Sequence, residues 1–345
     1  MNLRKKVIII AEAGVNHNGS LSMAFKLAEA ASRSGADYIK FQTFKTELNI
    51  SKTAKKADYQ IENTNNNVET QFEMVKKLEL SFDDFKKIKE YCDKLNIGFL
   101  STGFDFESVD FLDKLGMDYF KIPSGEITNK PLIKYIANKN RPIIVSTGMC
   151  NMSEIGTTLN ILTENSCKKS DITILHCNTE YPTPYKDVNL KAMNSIQEFL
   201  GVNIGYSDHT LGIEVPIAAV ALGARVIEKH FTLDKNLPGP DHKCSLNPDE
   251  LKLMVLSIRN TEAAISGSGV KEPSKSEMKN IDIARKSLHL KNDLQQGEIL
   301  SARDLISLRP GNGISPMQIE KVIGKKLKAN LKAFTKLSFS DLVSK

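Results

Sequence analysis

Paired cysteines of the kind that build disulfide frameworks or zinc sites are absent from this sequence. Its five cysteines are widely spaced, and no two of them form a CxxC pair. The odd number and the spacing argue against a set of structural disulfides. This cysteine usage fits a reducing compartment, so we expect a cytoplasmic protein.

Long apolar runs and long basic runs are missing as well. The amino-terminal segment MNLRKKVIIIAEAG loses its apolar character at Glu12, so it predicts neither a signal peptide nor a membrane span. The net charge of +6 comes mostly from scattered lysines without zinc-finger spacing, which argues against a nucleic-acid partner. With 41% hydrophobic and 26% charged residues, the composition is that of a globular protein with a sizeable core.

Short β-branched runs recur along the first two thirds of the chain, with helical patterns between most of them. The eight runs are 7–11, 38–42, 97–101, 119–122, 142–146, 173–176, 202–206 and 225–229. This alternation predicts an α/β fold, a (β/α)8 TIM barrel. A doubly wound open sheet is the alternative, and it is weakened because no GxGxxG motif follows the first run.

The pattern predicts two domains. We expect a TIM-barrel domain over 1–265, a Ser-, Gly- and Lys-rich linker over 266–281, and a small, mostly β domain over 282–345. In the second domain, the predicted strands are 287–290, 305–308 and 326–331. The segment 46–80 is too long for a simple connection between two barrel strands, which predicts a mobile active-site loop.

Two histidines stand at the ends of the last two predicted barrel strands. His209 follows the run 202–206 and His230 follows the run 225–229, with a helix-like stretch between them. Parallel strands of a βαβ unit place their carboxyl ends side by side, so both rings should face one mouth. Two neutral imidazoles, completed by water and substrate oxygens, make an open divalent-metal site. Alternatively, each histidine caps its strand, but the pair, with Asp208, Glu228 and Asp241 nearby in sequence, favours the metal.

Other strand ends carry cations, hydroxyls and carboxylates. The candidates for a phosphate- or carboxylate-binding cradle are Lys40, Lys121, Ser124 and Ser146. A Schiff base is the rival role for either lysine. Glu12 and Glu126 are candidates for general acid and base, or else they pair with the two lysines. Cys177 is interpreted as a buried, inert thiol, and His17 either forms a turn or takes part in catalysis.

These strand ends lie in motifs that resemble the phosphoenolpyruvate-condensing sialic acid synthases of bacteria. The matching segments are AEAGVNHNGS, KFQTF, FLSTGFD, KIPSGEITN, STGM, LHCNTEYPTP, GYSDHT, EKHFTLDKNLPGPDH and RPGNGI. They span nearly the whole chain in order. The resemblance implies a TIM barrel followed by a small antifreeze-like (SAF) domain. It also implies a homodimer in which the SAF domain of one subunit covers the barrel mouth of the other.

Roles for individual residues also follow from the resemblance. It implies that His209 and His230 hold Mn²⁺ or Mg²⁺, and that Glu126 acts near the reacting carbons. The residues that would bind phosphoenolpyruvate are Lys40, Gln42, Thr102, Lys121, Ser124, Ser146 and Ser207. Those that would lie near the acceptor amino sugar are Asn178, Thr179, Tyr181, Asp241 and Arg309. Arg309 of the partner subunit would reach the acyl group of the sugar.

The chain departs from the common family pattern at two places. It has Gly103 where many members have proline, and Asn178-Thr179 where many have Thr-Asn. Other segments, such as SGEITN and TEYPTP, are most similar to the legionaminic acid branch, whose acceptor is 2,4-diacetamido-2,4,6-trideoxymannose. The resemblance therefore implies condensation of that sugar with phosphoenolpyruvate. The alternatives are an N-acetylneuraminate synthase that uses N-acetylmannosamine, a Schiff-base aldolase, and a non-catalytic sugar- or ice-binding protein.

Overall fold

The computed structural model describes residues 6–64 and 66–343. By its internal contacts the chain divides into two compact units, one through Ser266 and one from Gly267. Residues 1–5, part of the segment tested above for a signal peptide, lie outside the described residues. Among the described helices, none combines the length and apolar character needed to cross a bilayer.

The first unit contains the eight strands that the sequence predicts, each within a few residues of its expected place. They are β1 Ile8–Gly14, β2 Tyr38–Thr43, β3 Gly98–Gly103, β4 Phe120–Ile122, β5 Ile143–Ser146, β6 Ile172–Cys177, β7 Asn203–Asp208 and β8 Val226–His230. All the pairings are parallel, in the order β3-β2-β1-β8-β7-β6-β5-β4. The two end strands, β3 and β4, pack against each other. The predicted TIM barrel is confirmed.

Helices alternate with these strands and bury their apolar faces on the barrel. Those outside the segment 46–80 are Leu21–Arg33, Phe82–Lys94, Phe106–Leu115, Lys130–Ala137, Met152–Glu164, Lys191–Leu200, Glu214–Ala221 and Pro248–Ala264. Their boundaries follow local chemistry. Ser20 caps the first by accepting a hydrogen bond from the Met23 amide, and Gly116 ends the helix Phe106–Leu115 with a φ of +83°. The main core lies between this helical layer and the strands.

The segment 46–80, which is predicted to be a mobile active-site loop and is called the insertion below, contains regular secondary structure. It contains the helices Thr46–Asn49, Asp58–Thr64 and Gln71–Lys76. Thr70 and Glu73 form a capping box at the start of the third of these. Lys56 and Glu69 form an ion pair of 3.2 Å whose side chains are 1% and 11% exposed. These contacts stabilise helices in a segment whose polar sequence shows no helical spacing of apolar residues.

The second unit is small and mostly non-helical. It contains the predicted strands Ser287–Leu290 and Leu305–Leu308 as an antiparallel pair over its own hydrophobic core. The third predicted strand, 326–331, is wrong, because a bend interrupts it and only isolated bridges form at its ends. Within the predicted linker 266–281, the helix Lys275–Ala284 begins behind a capping box of Ser274 and Glu277.

Candidate active site

A cavity of about 200 Å³ opens at the carboxyl ends of the barrel strands. We call it the mouth cavity. The predicted site residues that line it are Glu12, Lys40, Gln42, Thr102, Lys121, Ser124, Ser146, Thr179, Tyr181, Ser207, His209 and His230. Glu228 and Cys177 line it as well. Most of the predicted residues are therefore brought together in one place.

Strand register explains why these side chains meet. Glu12 of β1 lies opposite Lys40 of β2 on one side and His230 of β8 on the other. Ser207 of β7 lies opposite Glu228 of β8. Because side chains alternate along a strand, Glu228 and His230 project to the same side of β8. The backbone ladder thus fixes the positions of the strand residues at the base of the mouth.

Two lysines and two glutamates form a buried charge network at the base of this cavity. The Lys40 ammonium lies 2.7 Å from Glu12 Oε2 and 3.6 Å from Glu228 Oε2. Lys121 donates to Glu228 Oε1 at 2.8 Å, and the Ser207 hydroxyl donates to the same oxygen at 3.1 Å. All four charged residues are at most 5% exposed. Of the pairings that the sequence suggested, Glu12 does pair with Lys40, whereas Lys121 pairs with Glu228.

The two carboxyl groups of this network differ in their affinity for protons. Burial raises the pKa of Glu12 to about 7, although Lys40 opposes the shift. Burial also acts to raise the pKa of Glu228, but Lys121 and Lys40 outweigh it and lower that pKa to about 2. Burial lowers the pKa of Lys121. Glu228 is therefore ionised at pH 7, whereas Glu12 exchanges a proton near neutrality. Two neighbouring carboxyl groups with such different pKa values suit acid–base chemistry.

The histidine rings lie side by side, with 5.4 Å between their centroids. Burial lowers the pKa of His209 to about 4 and that of His230 well below its ordinary value, so both rings are neutral at pH 7. His209 Nδ1 bonds to the carbonyl oxygen of Asn178, which leaves the Nε2 lone pair of a neutral ring free. His230 Nδ1 is buried without a hydrogen-bond partner.

Around this pair, no cluster of three or more His, Cys, Asp or Glu side chains suited to a metal occurs in residues 6–64 and 66–343. Two neutral, unprotonated nitrogens nevertheless fit a divalent ion whose other positions are taken by water and substrate oxygens. The donor set therefore fits an open catalytic site better than a closed structural one.

A stack of aromatic rings covers one side of the histidine pair. Tyr181 stacks on His209 with 4.0 Å between centroids, and its ring lies edge-on to His230 at 5.5 Å. Tyr59, from the insertion, stacks on Tyr181 with 5.0 Å between the ring centroids. The insertion thus supports the mouth cavity through Tyr181, although Tyr59 itself does not line that cavity.

A hydroxyl-lined pocket faces the lysines. Ser124 Oγ accepts a hydrogen bond from the Gly148 amide at 2.9 Å. Ser146 Oγ is buried without a partner. A Cβ on Gly148 would lie 2.4 Å from Thr179 Cγ2 and 2.9 Å from Ser124 Oγ, so only glycine permits this close approach. Hydroxyls and ammonium groups at one end of a cavity form a suitable site for an anion.

Behind the mouth, a buried ion pair holds the turn that carries His209. Lys229 Nζ lies 2.5 Å from Asp208 Oδ2, and both side chains are fully buried. Asp208 also accepts from the Thr210 amide at 3.0 Å. Asp208 is thus a structural anchor one residue before the histidine, and it does not line the mouth cavity.

Four predicted residues lie elsewhere. Glu126 bonds to Asn129 and does not line the mouth cavity, so its predicted role near the reacting carbons stays a prediction. The Asn178 side chain accepts from the Glu180 amide, and only its backbone serves the site. Arg309 belongs to the second unit, where its Nε donates to the Ala284 carbonyl. Asp241 lines a different cavity.

That different cavity, about 200 Å³ in volume, lies beneath the insertion and is called the insertion cavity. Four residues line both cavities: Gln42, Phe104, Tyr181 and His230. Its wall also contains Asp241, which is 8% exposed and whose pKa burial raises to about 6. The two cavities are therefore adjacent and have part of their lining in common.

Sequence reasoning missed three contributors to this region. Glu228 had been noted only as a neighbour of His230, although two-residue alternation along β8 would have placed it in the mouth. Gly148 follows the predicted Ser146 in STGM, but its close packing is visible only in the folded chain. Tyr59 lies in a polar insertion, and no pattern in the sequence separates it from surface residues.

Comparison with known proteins gives matches over almost all of the chain. The NeuB family model matches residues 27–271, and the SAF domain model matches residues 285–343. An N,N'-diacetyllegionaminic acid synthase of Campylobacter jejuni subsp. jejuni is 56% identical over 328 residues, covering 95% of this chain and 98% of that protein. One of Legionella pneumophila subsp. pneumophila is 49% identical over 336 residues, covering 97% and 94% respectively.

A solved structure agrees with these matches. The N-acetylneuraminic acid (sialic acid) synthetase of Leptospira borgpetersenii serovar Hardjo-bovis, in complex with citrate, is 35% identical, with a TM-score of 0.69. The match covers 80% of this chain and 90% of that one. Together, these comparisons confirm the resemblance drawn from the motifs and the predicted antifreeze-like SAF domain.

Proposed function

The chain belongs to the NeuB family and carries a SAF domain, and we propose that it is a phosphoenolpyruvate-dependent, C–C bond-forming nonulosonic acid synthase. Its acceptor would be 2,4-diacetamido-2,4,6-trideoxymannose, and its products would be N,N'-diacetyllegionaminate and phosphate. The names of the two relatives at 56% and 49% identity support this acceptor over N-acetylmannosamine. The observation that carries the chemistry is the convergence of two lysines and two neutral histidines in one cavity.

The reaction can be written with every atom accounted for. Carbon C3 of phosphoenolpyruvate forms a bond to the aldehyde carbon of the open-chain sugar, and the aldehyde oxygen takes up a proton. Water adds to C2 and loses a proton. The bond between C2 and the bridging oxygen then breaks, so that inorganic phosphate leaves with that oxygen and a 2-keto acid remains.

The residues of the mouth cavity suit these steps. Lys40 and Lys121 supply fixed positive charge where the phosphate dianion would lie, and such preorganised charge is effective in a site shielded from water. Ser124, Ser146 and the other hydroxyls would bond its oxygens. Glu12, buried beside Lys40, is our candidate for the proton transfers. Glu126 would orient water only if its bond to Asn129 is exchanged.

His209 and His230 would hold the divalent ion, Mn²⁺ or Mg²⁺. Their neutrality and the unpartnered nitrogen of His230 support this assignment. A bound ion would polarise the sugar aldehyde as a Lewis acid. Tyr181, stacked on His209, holds that ring in place and restricts the space open to the acceptor.

The first experiment compares acceptors. Metal-stripped protein, resupplied with Mn²⁺ and phosphoenolpyruvate, should release phosphate faster with 2,4-diacetamido-2,4,6-trideoxymannose than with N-acetylmannosamine. Phosphoenolpyruvate labelled with ¹⁸O at the bridging position should transfer its label to phosphate. Preference for N-acetylmannosamine would make the protein an N-acetylneuraminate synthase instead. No release with either sugar would overturn the assignment for both of these acceptors. Covalent trapping by borohydride would overturn the proposal in favour of an aldolase.

We also propose a cytoplasmic homodimer in which Arg309 of the partner subunit approaches the acceptor. The support is the family resemblance of RPGNG, together with five cysteines that are all free. A mixing experiment tests the exchange. Arg309→Ala and Lys121→Met subunits, each inactive alone, should recover activity when combined if Arg309 acts across the dimer. If the mixture stays inactive although mixed dimers form, Arg309 acts within its own subunit.

A further inference from the structure

The insertion cavity has a position that suits the far end of an acceptor molecule. It shares His230 and Tyr181 with the mouth cavity, so a sugar with its aldehyde at the histidines can continue into it. Each cavity alone, at about 200 Å³, is smaller than typical small-molecule sites of roughly 300–1,000 Å³, whereas the two together fall within that range. The second cavity therefore completes a site of ordinary size.

One part of the wall of the insertion cavity is an apolar cluster. Val15, Phe44 and Leu78 form a hydrophobic cluster separate from the barrel core, with Val75 and Phe104 packed against it. All five line the cavity. A separate apolar cluster that faces a void favours ligand groups such as methyl and methylene, because their burial removes apolar surface from water.

Three carboxamides and one carboxyl group at this cavity have no hydrogen-bond partner. Within the described part of the chain, the side chains of Gln42, Asn49, Gln71 and Asp241 make no hydrogen bond or ion pair, and all four line the cavity. A carboxamide offers both a donor and an acceptor, which matches the C=O and N–H of an acylamido group. Asp241 is buried and the carboxamides are half-buried, so all of these groups are open to a ligand that enters the cavity.

We propose that the insertion cavity binds the end of the acceptor distant from its aldehyde, and that it selects a C6 methyl group and a C4 acylamido group. This inference rests on the proposed function, because it takes the aldehyde to lie at the histidine pair. Val75 and Gln71, both on the helix Gln71–Lys76, are the specificity-determining residues. Val75 contacts the methyl end, and Gln71 bonds the acylamido group.

The chemistry explains discrimination against N-acetylmannosamine. That sugar has a hydroxymethyl group at C6 and a free hydroxyl at C4, so it would place hydroxyl groups against Val75 and leave Gln71 without an amide partner. An apolar pocket discriminates against a substrate with an added hydroxyl by only roughly 100-fold in kcat/KM. A protein amide that loses its hydrogen-bond partner on the substrate increases that discrimination. We therefore assign selectivity to the apolar wall and the amide acting together.

Two single variants test the assignment. Val75→Thr adds a hydroxyl with almost no change in shape, and Gln71→Met removes the amide while retaining length. Each should lower the ratio of kcat/KM for the diacetamido sugar to kcat/KM for N-acetylmannosamine by about tenfold, the effect of one ordinary hydrogen bond. The KM for phosphoenolpyruvate should not change, because the mouth cavity is untouched.

The matched control is Val68→Thr, the same substitution in the same insertion. Val68 is 88% exposed and does not line the cavity, so the ratio should stay at the wild-type value. Thermal unfolding of all variants separates lost folding from altered selectivity. Equal losses with both sugars, or an unchanged ratio in well-folded variants, would overturn the inference.

The same data distinguish failure of this inference from failure of the proposed function. If wild-type protein prefers the diacetamido sugar but the variants keep its ratio, the proposed function stands and the insertion cavity is not its basis. If wild-type protein prefers N-acetylmannosamine, both fail together.

Discussion

The mouth cavity and the insertion cavity are equal in size but built on different principles. The mouth is formed by strand ends whose register is fixed by the backbone ladder, and it concentrates charge in Lys40, Lys121, Glu12 and Glu228. The insertion cavity is roofed by three short helices, and its wall combines an apolar cluster with carboxamides that have no hydrogen-bond partner. One region has the rigidity that bond-making chemistry needs, and the other has the varied surface that selectivity needs.

Substitutions in the two cavities are therefore expected to have different effects on activity. Changes in the mouth should reduce turnover with every acceptor, because the proposed phosphoenolpyruvate and metal sites would serve all of them. Changes in the insertion cavity should alter the order of preference among acceptors. The predictions below test that division, beginning with the largest effect.

Loss of a mouth lysine should have the largest effect. In Lys121→Met, we expect kcat/KM to fall by about 10³-fold with either sugar, since an ammonium group that stabilises developing charge is lost and Glu228 is left without that partner. Steady-state phosphate release measures the change. Lys134→Met, at an exposed position of the same barrel, is the control. A variant that lost activity with only one sugar would contradict the division.

Loss of a histidine should remove metal binding. In His230→Gln, we expect the dissociation constant for Mn²⁺ to rise by at least about 100-fold, because even second-shell substitutions cost roughly 10–100-fold. Calorimetric titration of the metal-free protein measures it without reference to turnover. His176→Gln is the control, because the His176 ring is already engaged with the Val188 carbonyl. Unchanged Mn²⁺ affinity in His230→Gln would place the metal elsewhere.

The insertion cavity should give the protein a pH-dependent stability. Burial raises the pKa of Asp241 to about 6, so the folded protein binds this proton more tightly than the unfolded chain does. The contribution is therefore present below about pH 4 and is lost as pH rises through about 6, a change on the order of 2–3 kcal/mol. Asp241→Asn should flatten this part of the profile.

Urea unfolding at several pH values between 4 and 7 measures that profile. Asp187→Asn, at an exposed position, should retain the slope of the wild-type protein. Some slope should remain, because burial also raises the pKa of Glu12 to about 7. A slope in Asp241→Asn equal to that of the wild-type protein would show that Asp241 does not contribute.

A smaller effect is expected at Gly148, where the backbone packs closely against side chains that line the mouth cavity. Gly148→Ala would place Cβ against Thr179 and Ser124, so we expect the KM for phosphoenolpyruvate to rise about tenfold. The control is Gly156→Ala, inside the helix Met152–Glu164, where the new Cβ meets nothing closer than 4.0 Å and helix propensity improves. Equal KM values in the two variants would contradict the predicted crowding.

The same division marks what the sequence could predict. Parallel strands covered on both faces give continuous β-branched runs, so all eight barrel strands could be located, and His209 and His230 could be placed at their ends. Lys40 and Lys121 followed by the same logic. Glu228 could also have been placed in the mouth cavity, because it lies two residues before His230 on the same strand and its side chain projects to the same side.

The insertion resisted prediction for a physical reason. Its helices are short, so they depend on tertiary contacts such as the buried Lys56–Glu69 ion pair, which joins residues thirteen positions apart. Tyr59 reaches the site only because that segment folds back over the barrel. In the second unit, a bend at 328–329 broke a run that has the composition of a strand.

The pairing of β1 with β8 has a consequence for how the protein is made. Glu12 and His230 lie opposite each other across the seam where the first strand of the barrel meets the last. A growing chain therefore has no assembled site until the eighth strand has emerged and paired with the first, however much helix has already formed. In a refolding experiment, the return of activity would report closure of the ring, a late event with long loops to bring together.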